Sequence, residues 1–326
     1  MKDLTVLIQG PYFEYNQYNS NENIKILKKS FPDAEILIST WKNENKFILD
    51  ANDKIIYNDD PGTIIDNHLG SLTNGSNILR QITSVKNGLN KINTKYTLKI
   101  RSDAYFKSNK ILKLDLNKFI FNERYKIFEE RIVTSTIGSL NQKNTKILYN
   151  FSDWFNFGLT SDLKKIWNYA KVENEDINYF TKFKNKKKNI YGKNWDLKFT
   201  AEQFIFFKSI SQFIEDKIEH AHDYSKKKLV SAEKYLINNL YLIDPDKVDF
   251  VFPKYDSRIN KFLNKNNTNL RNNELIFLSY SENDWLNIYN KKINNYKFSF
   301  NFNKSFFLLK FKIKNFMYKF LNFKLF

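Results

Sequence analysis

The stretch Tyr96-Thr97-Leu98-Lys99-Ile100-Arg101-Ser102-Asp103-Ala104-Tyr105-Phe106 constrains the fold more than any other part of the chain. Tyr96 to Ile100 alternates as a β-strand does, and Arg101 is the first charged residue past its end, with Asp103 two residues on. In an α/β protein, a strand that stops at a carboxylate sets it at the carboxyl edge of the sheet, where ligand crevices open. Two roles are open to the pair. Asp103 can hold a divalent cation that neutralises a diphosphate, with Arg101 clamping a phosphate beside it. Alternatively, Arg101 and Asp103 pair with each other at the turn that leaves the strand.

The residues before this stretch supply the sheet. Thr5 to Ile8 reads as a short buried strand ending in Gln9-Gly10-Pro11-Tyr12, where Gly10 lets the backbone approach a ligand and Pro11 stiffens the turn. Ser20 or Asn21 is placed to cap a helix carrying Ile24, Leu27 and Phe31. Glu35 to Trp41 and Lys54 to Tyr57 read as two more strands, the second followed by the turn Asn58-Asp59-Asp60-Pro61-Gly62. This β-α-β-β order is that of a doubly wound, nucleotide-binding type of sheet. Gly70 to Asn77 reads as a loop, and His68 just before it as an isolated loop residue. Ile78 to Leu89 reads as a helix with Arg80 and Gln81, and Ile111 to Phe121 as an amphipathic connection.

Further on, Arg131 to Thr134 is a predicted strand, and Asp153-Trp154-Phe155-Asn156-Phe157-Gly158 leads to a helix over Leu163–Tyr169. Asp162 suits that helix's amino terminus, whereas Asp153 lies among aromatics where a lone carboxylate is costly. Phe180 to Lys188 is a lysine-rich loop, facing solvent or phosphate. Thr200 caps a helix with Glu202 in its first turn, as a dipole partner or as a general base at a cleft edge. His220 and His222 alternate on a segment read as extended, so either is a candidate metal ligand or an exposed loop residue. Leu275 to Tyr280 is a predicted strand, and a short helix is predicted to begin at Asp284-Trp285.

Composition narrows the class. With 42% hydrophobic and 17% aromatic residues, 326 residues can bury a sizeable core in one large or two modest domains. There is no cysteine, which excludes disulfide frameworks, thiolate zinc sites and a cysteine nucleophile, and suits a reducing compartment. The first strand begins too early for a signal peptide, and no run of about twenty apolar residues spans a bilayer, so the protein is expected to stay in the cytoplasm. Of the formal net charge of +18, nine lysines fall between Trp285 and Phe326, a stretch without Asp or Glu. Leu309, Ile313, Phe316, Phe320 and Phe323 form one helical stripe there, opposite Lys312, Asn315, Lys319 and Asn322. A Phe/Leu face flanked by lysines is the pattern of a helix lying in an anionic membrane surface, the alternative being a terminal helix packed on the body. Nucleic-acid binding also accommodates the charge, but no nucleic-acid-binding motif accompanies it.

Taken as an ordered set, Val6-Leu7-Ile8-Gln9-Gly10-Pro11-Tyr12, Phe31-Pro32-Asp33-Ala34-Glu35, Ser39-Thr40-Trp41, Leu98-Lys99-Ile100-Arg101-Ser102-Asp103, Asp153-Trp154-Phe155, Phe157-Gly158 and Ala201-Glu202-Gln203 resemble the WavE family of bacterial lipopolysaccharide-synthesis proteins. The resemblance covers roughly residues 4 to 210 and, more broadly, follows the order of GT-A glycosyltransferases. It implies an α/β fold: a GT-A-like, doubly wound (Rossmann-like) nucleotide-binding sheet flanked by helices, with a C-terminal amphipathic helical tail. The implied division is a transferase domain over residues 1–245, an extension over 246–295 packed on it, and a basic membrane-surface segment over 296–326.

By the same resemblance, Arg101-Ser102-Asp103 stands where those enzymes carry Asp-x-Asp, Phe157-Gly158 is the acceptor-side glycine loop, Glu202 occupies the acidic catalytic position, and His220 or His222 is the late metal ligand. The implied reaction moves a sugar from a nucleotide-sugar donor to a lipid-linked saccharide. Gln9, Gly10, Pro11, Tyr12, Asp60 and Arg80 are expected on the nucleotide side, and Asp103 binds a divalent Mn or Mg ion with His220 or His222. Glu202 is the base of an inverting reaction, and Asp153 is the candidate group of a retaining one. Arg101 replaces the first Asp of the pair, so it can substitute for the ion's charge. A sugar-phosphate transferase and a catalytically inactive nucleotide-sugar-binding protein are the alternatives on the same fold.

Overall fold

The computed structural model describes residues 3–15, 18–64, 76–177, 179–182, 197–253 and 278–293. Its centre is a seven-stranded sheet of β1 (Leu4–Gln9), β4 (Glu35–Trp41), β5 (Lys54–Asn58), β6 (Tyr96–Arg101), β8 (Ile132–Ser135), β9 (Phe155–Leu159) and β10 (Leu240–Ile243), in the order β10-β8-β9-β6-β1-β4-β5. Every strand except β9 points the same way; β9 runs antiparallel to both β6 and β8. Gln9 is in register with Ser39 on one side and Arg101 on the other, so the first strands end level at one edge. Because β9 is reversed, its beginning reaches that edge, with Phe155 opposite Ile100.

Helices α2 (Ile78–Leu89), α4 (Thr160–Tyr169) and α6 (Ala201–Ile210) pack together beside one face of the sheet. Gly88 of α2 lies so close to β1 that a Cβ there would meet the end of the Leu7 side chain at 2.5 Å and force it to shift. Ser84 and Thr160 tie this layer to the strands: Ser39 Oγ donates to the Ser84 carbonyl at 2.6 Å, and the Thr160 and Thr97 hydroxyls meet at 2.8 Å. Helix α1 (Ser20–Ser30) is fixed by its end to the short strand β7 (Tyr105–Phe106), where Ser30 Oγ donates to Phe106 O and Phe31 packs edge-on to Phe106. Strand β11 (Phe250–Val251) pairs with β7, placing Phe250 against Phe106 and Phe155. A two-residue ribbon, β2 (Glu14–Tyr15) with β3 (Tyr18–Asn19), precedes α1.

The remaining α-helices among the described residues are the short α3 (Gln142–Thr145) and α5 (Tyr179–Lys182), then α7 (Lys226–Asn239) and α8 (Glu282–Ile293). Helix α8 lies on the body through Trp285, which is wholly buried and donates its indole N–H to Leu240 O at 2.8 Å. Tyr289 stacks on Trp285, and its hydroxyl oxygen accepts from Ile120 N at 2.8 Å.

Several local expectations change. The cap of α1 is Asn19, whose side chain accepts from Glu22 N, rather than Ser20 or Asn21; Ser20 is used elsewhere, accepting from Phe13 N and donating to Ser102 O. Helix α4 starts at Thr160, three residues before Leu163, because the Thr160 hydroxyl is anchored to Thr94 O. Asp162 is not its cap: the carboxylate is fully buried and accepts from Glu130 N and Lys165. The stretch from Ile111 to Phe121 holds a 3-10 turn, Lys110–Lys113, and otherwise irregular chain. Of the strand expected over 275–280, residues 278–280 are described, and Ser279 makes an isolated bridge to Leu140. Tyr179–Lys182 is helical rather than loop, and the lysine run 183–188 lies outside the described residues, as do His68 and the segment 296–326.

Candidate active site

The exits of β1 and β6 are stitched into one edge. Gly10, at φ +115°, donates to Ser39 O at 3.1 Å, and a Cβ on it would stand 3.1 Å from Ser102 Oγ. Ser102 in turn donates its hydroxyl to Pro11 O at 2.6 Å and its amide to Gln9 O at 3.0 Å. The buried Gln9 accepts from the Ser84 hydroxyl at 3.0 Å, and Tyr12 donates its amide to Glu44 at 2.9 Å while its ring meets Phe47 edge-on. Next along the edge, Asp60 after β5 is bound bidentately by Arg80 of α2, at 2.7 and 2.6 Å. The hydrogen bonds from Arg80 hold the Asp60 carboxyl below the ordinary range. Gln9, Gly10, Pro11, Tyr12, Asp60 and Arg80 thus lie at or beside strand exits on one edge, on the side of β1, β4 and β5.

At the exit of β6, Arg101 Nε and Nη2 donate to the two carboxylate oxygens of Asp103 at 2.9 and 2.8 Å, and the guanidinium lies 5.1 Å over the Phe252 ring. The alternative left open by sequence, a mutual pair at the turn, is the arrangement found. It is a planar fork with fixed orientation, the geometry that arginine rather than lysine provides.

Across the register from Arg101 comes the reversed entry to β9. Asp153 is 5% exposed, and its Oδ2 has no hydrogen-bond partner among the described residues. Glu202, in the first turn of α6, is brought toward it by a rigid cap. Thr200 accepts from Gln203 N, Gln203 accepts from Thr200 N, Thr200 donates to Asn150 at 2.6 Å, and Gln203 donates to Leu148 O at 2.7 Å. Burial first, and then the negative charge of Asp153, push the Glu202 carboxyl up to about 7. Although Glu202 keeps some solvent contact, dense packing around its carboxyl makes ionisation costly. A carboxyl poised near neutrality beside a second carboxylate is suited to taking a proton from an incoming hydroxyl.

The histidines sit elsewhere. His220 and His222 pack on Phe180 at 5.3 and 6.0 Å, and they flank a turn in which Asp223 N donates to His220 O. The segment is therefore not extended, since His222 N also donates to His220 Nδ1 at 3.1 Å. Its link to Glu202 runs through the backbone, Ala221 N donating to Lys198 O. Among the described residues, Asp103, His220 and His222 do not form a cluster able to hold a metal ion; Glu173, Glu175 and Asp176 do. That cluster is served by lysines: Lys171 and Lys208 donate to Glu173 at 2.7 Å each and hold its carboxyl down at about 2. With Asp103 spanned by Arg101, the residues at the β6 exit do not fit an ion held between Asp103 and a histidine.

Sequence reasoning missed Lys99. It is 0% exposed, donates to the Asp153 carbonyl, and lies 5.0 Å over the Trp167 ring. Lys99 falls in phase with Thr97 and Arg101, but only the structure shows that helices cover this face. The structural roles of Asn150 and Leu148, which hold the start of α6, leave no trace in local sequence.

A family model described as WavE lipopolysaccharide synthesis matches residues 4–317. No curated protein matches the chain. Among solved structures, the galactosyltransferase LgtC in complex with donor and acceptor sugar analogues overlaps at 8% identity and TM-score 0.34, covering 76% of this chain and 85% of that one. A 2-C-methyl-D-erythritol 4-phosphate cytidylyltransferase from Thermus thermophilus overlaps at 11% identity and TM-score 0.31, covering 70% and 96%. TarS residues 1–349 from S. aureus overlaps at 13% identity and TM-score 0.28, covering 94% and 78%. Scores this low give these overlaps no weight for a shared fold or activity.

Proposed function

The chain belongs to the WavE family of lipopolysaccharide synthesis, and from that membership we propose that it is a glycosyltransferase moving a sugar from a nucleotide-sugar donor to a lipid-linked saccharide. One observation carries the reading: the buried Asp153 and the half-buried Glu202 act on each other near the Arg101–Asp103 fork at the exit edge of an α/β sheet. The nucleotide lies on the side of Gln9, Gly10, Pro11, Tyr12, Asp60 and Arg80. Glu202 takes the proton of the acceptor hydroxyl as that oxygen attacks the anomeric carbon, and the bond to the diphosphate breaks. Arg101, oriented by Asp103, faces the departing diphosphate and supplies the positive charge for which other enzymes use an ion. Burial, and then the neighbouring Asp153, raise Glu202 toward neutrality and so suit it to act as the base. In this scheme transfer inverts the anomeric centre; retention would assign Asp153 the direct role instead.

No helix among the described residues is long and apolar enough to cross a membrane. The segment 296–326, with its lysines and Phe/Leu stripe, is the proposed contact with the anionic inner face of the cytoplasmic membrane, where a lipid-linked acceptor resides.

The test is nucleotide release from a panel of nucleotide sugars, with Mn, with Mg and with EDTA. Turnover of one donor that survives EDTA and is lost in Glu202→Gln and Arg101→Gln supports the reading. Release dependent on added metal overturns the role of Arg101, and a product of retained configuration moves the chemistry to Asp153. Phosphate retained in the product indicates a sugar-phosphate transferase. Absence of both turnover and donor-induced thermal shift overturns the transferase reading. Salt-sensitive pelleting with anionic liposomes, lost on deletion of 296–326, tests the membrane contact; persistent binding of that truncation to RNA points to nucleic acid instead.

A further inference from the structure

The face of the sheet turned away from α2, α4 and α6 holds a groove that no part of the proposed reaction uses. Thr97 and Lys99 of β6 face those helices, so Tyr96 of β6 and Phe157 of β9 face the other way, stacked at 6.1 Å. With the chain from Leu112 to Phe121 they enclose a cavity of about 490 Å³. Its walls are apolar, with Leu112, Leu114 and Phe121 each half-buried, and Ile120 at its mouth is 61% exposed. Tyr96 begins β6 and Arg101 ends it, so the groove lies at the opposite end of the strand from the candidate active site. Of the charged residues that line it, Arg131 is turned inward, its guanidinium donating to the carbonyls of Phe119, Ile120 and Ile237. Glu123 and Glu130 stand at the exposed rim. An apolar trough with an acidic rim suits a basic, apolar occupant, and it repels the anionic headgroups of a membrane.

The chain supplies such an occupant beside the groove. Helix α8 lies against the groove wall: Tyr289 packs edge-on to Phe119 at 5.1 Å, and its hydroxyl accepts from Ile120 N. Ile293 ends the helix about one turn later, so the residues that follow leave the body next to the groove. From there to Phe326 the sequence has seven lysines, no Asp or Glu, and the stripe Leu309, Ile313, Phe316, Phe320 and Phe323. We propose that the groove is the seat of this stripe in the same chain, so that one apolar face is covered by the groove in solution and by the membrane when the protein is bound there. The inference deepens the membrane contact proposed above and rests on the same stripe, for which groove and membrane compete. The 16 residues from Ile293 to Leu309 are chain enough, at about 3.3 Å per residue, to bring the stripe back to the groove. Tethering gives the segment an effective concentration of about a millimolar at its own groove, which favours it over the segment of a second copy in dilute solution.

The protein contains no cysteine, so single introduced cysteines report on the groove without background. Leu114→Cys and Ile120→Cys are made in the full-length chain, with Tyr169→Cys, exposed at the end of α4, as the reference, and the rate of reaction with a maleimide is measured. In buffer, both groove thiols are expected to react at least about tenfold more slowly than in the same chain carrying Phe316→Ser and Phe320→Ser, with the reference thiol unchanged. Glu123→Lys with Glu130→Lys reverses the rim and leaves the stripe intact; it is expected to free the groove thiols too, and it gives the decision if the stripe variant fails to fold. Vesicles of phosphatidylglycerol are expected to raise the same rates as the protein binds them. Groove thiols that react as fast in the parent chain as in the stripe variant overturn the inference. Protection that grows with protein concentration also overturns it, by assigning the groove to a second copy, as does protection that persists in protein pelleted with the vesicles. Protection that depends on the stripe in a chain that no vesicle binds would sustain the seat while removing the membrane contact.

Discussion

Replacing Glu202 by Gln keeps the side-chain shape and removes the charge, so it isolates the cost of ionising that carboxyl in place. An ordinary glutamate titrates at 4.5, and Glu202 is raised to about 7. Between these values the folded protein binds more protons than the unfolded chain, so wild-type stability falls as pH rises through this window. Below pH 4.5 the carboxyl is neutral in both states and the penalty vanishes; above pH 7 it is fully present. The gap corresponds to about 3 kcal/mol, an upper value because the carboxyl retains partial contact with water. Glu202→Gln is therefore expected to gain stability over wild type progressively from pH 4.5 to 7, reaching at most about 3 kcal/mol at pH 8. For a chain of this length that is a gain of about 4 °C in midpoint temperature, taking about 2.1 cal/mol/K per residue for the unfolding entropy. Urea titrations followed by tryptophan fluorescence, repeated for both proteins from pH 4.5 to 8.5, measure the difference. A difference that does not vary with pH would show that Glu202 ionises as freely as a surface carboxylate, and the assignment of a neutral-pH base would fall.

Other expectations follow from the same geometry. Asp103→Ala removes the bidentate partner of the Arg101 guanidinium, whose side chain is 23% exposed, and should cost about 1–3 kcal/mol in urea unfolding, whereas the double change Arg101→Met with Asp103→Leu recovers much of it. Gly10→Ala forces a Cβ onto a backbone at φ +115° and against Ser102 Oγ; a loss of about 1–2 kcal/mol is expected, and Ser102→Gly relieves only the contact. Glu173, held at about 2 by Lys171 and Lys208, contributes stability above the unfolded carboxyl range that is lost as pH falls from about 4.5 through 2. Solvent exposure limits that contribution to less than about 1 kcal/mol, so Glu173→Gln should flatten the acid limb only slightly in melts between pH 5 and 2.

The parts of the fold legible in sequence were those whose signal is local. Glu35–Trp41 and Ile78–Leu89 match their expected bounds because an apolar run and a helical stripe, each bounded by polar turns, report burial directly. β9 was not legible as a strand: Phe155–Leu159 contains Asn156 and Gly158, and its place depends on β6 and β8, each far away in the chain. Helix α7 was not read from the sequence: it begins with three lysines and shows little apolar face before Leu229. At the site, Asp103, Asp153 and Glu202 were visible as acids at element ends, but the neutralisation of Asp103 by its neighbour Arg101 was one of two readings that only side-chain geometry separates. The interior lysine was hidden for a related reason: within Leu98-Lys99-Ile100 a single basic residue looks like an exposed position on a half-buried strand, until helices cover that face.

The reversed direction of β9 has a consequence for how this architecture can diversify. The chain leaves β8 and enters β9 at the same rim, so residues 136–154 make a closed excursion, knitted internally by Leu140 N to Asn150 O and Ser152 N to Ser139 Oγ. That single loop delivers Asp153 itself, and through Leu148 and Asn150 it grips the start of the helix bearing Glu202. One acid of the site thus lies in this cassette and the other is held in place by it, while both ends of the cassette are clamped to a sheet that need not change. Exchange of this cassette between related chains would alter the surroundings of Asp153 and Glu202 as a unit, while the half of the sheet formed by β1, β4 and β5 stayed as it is.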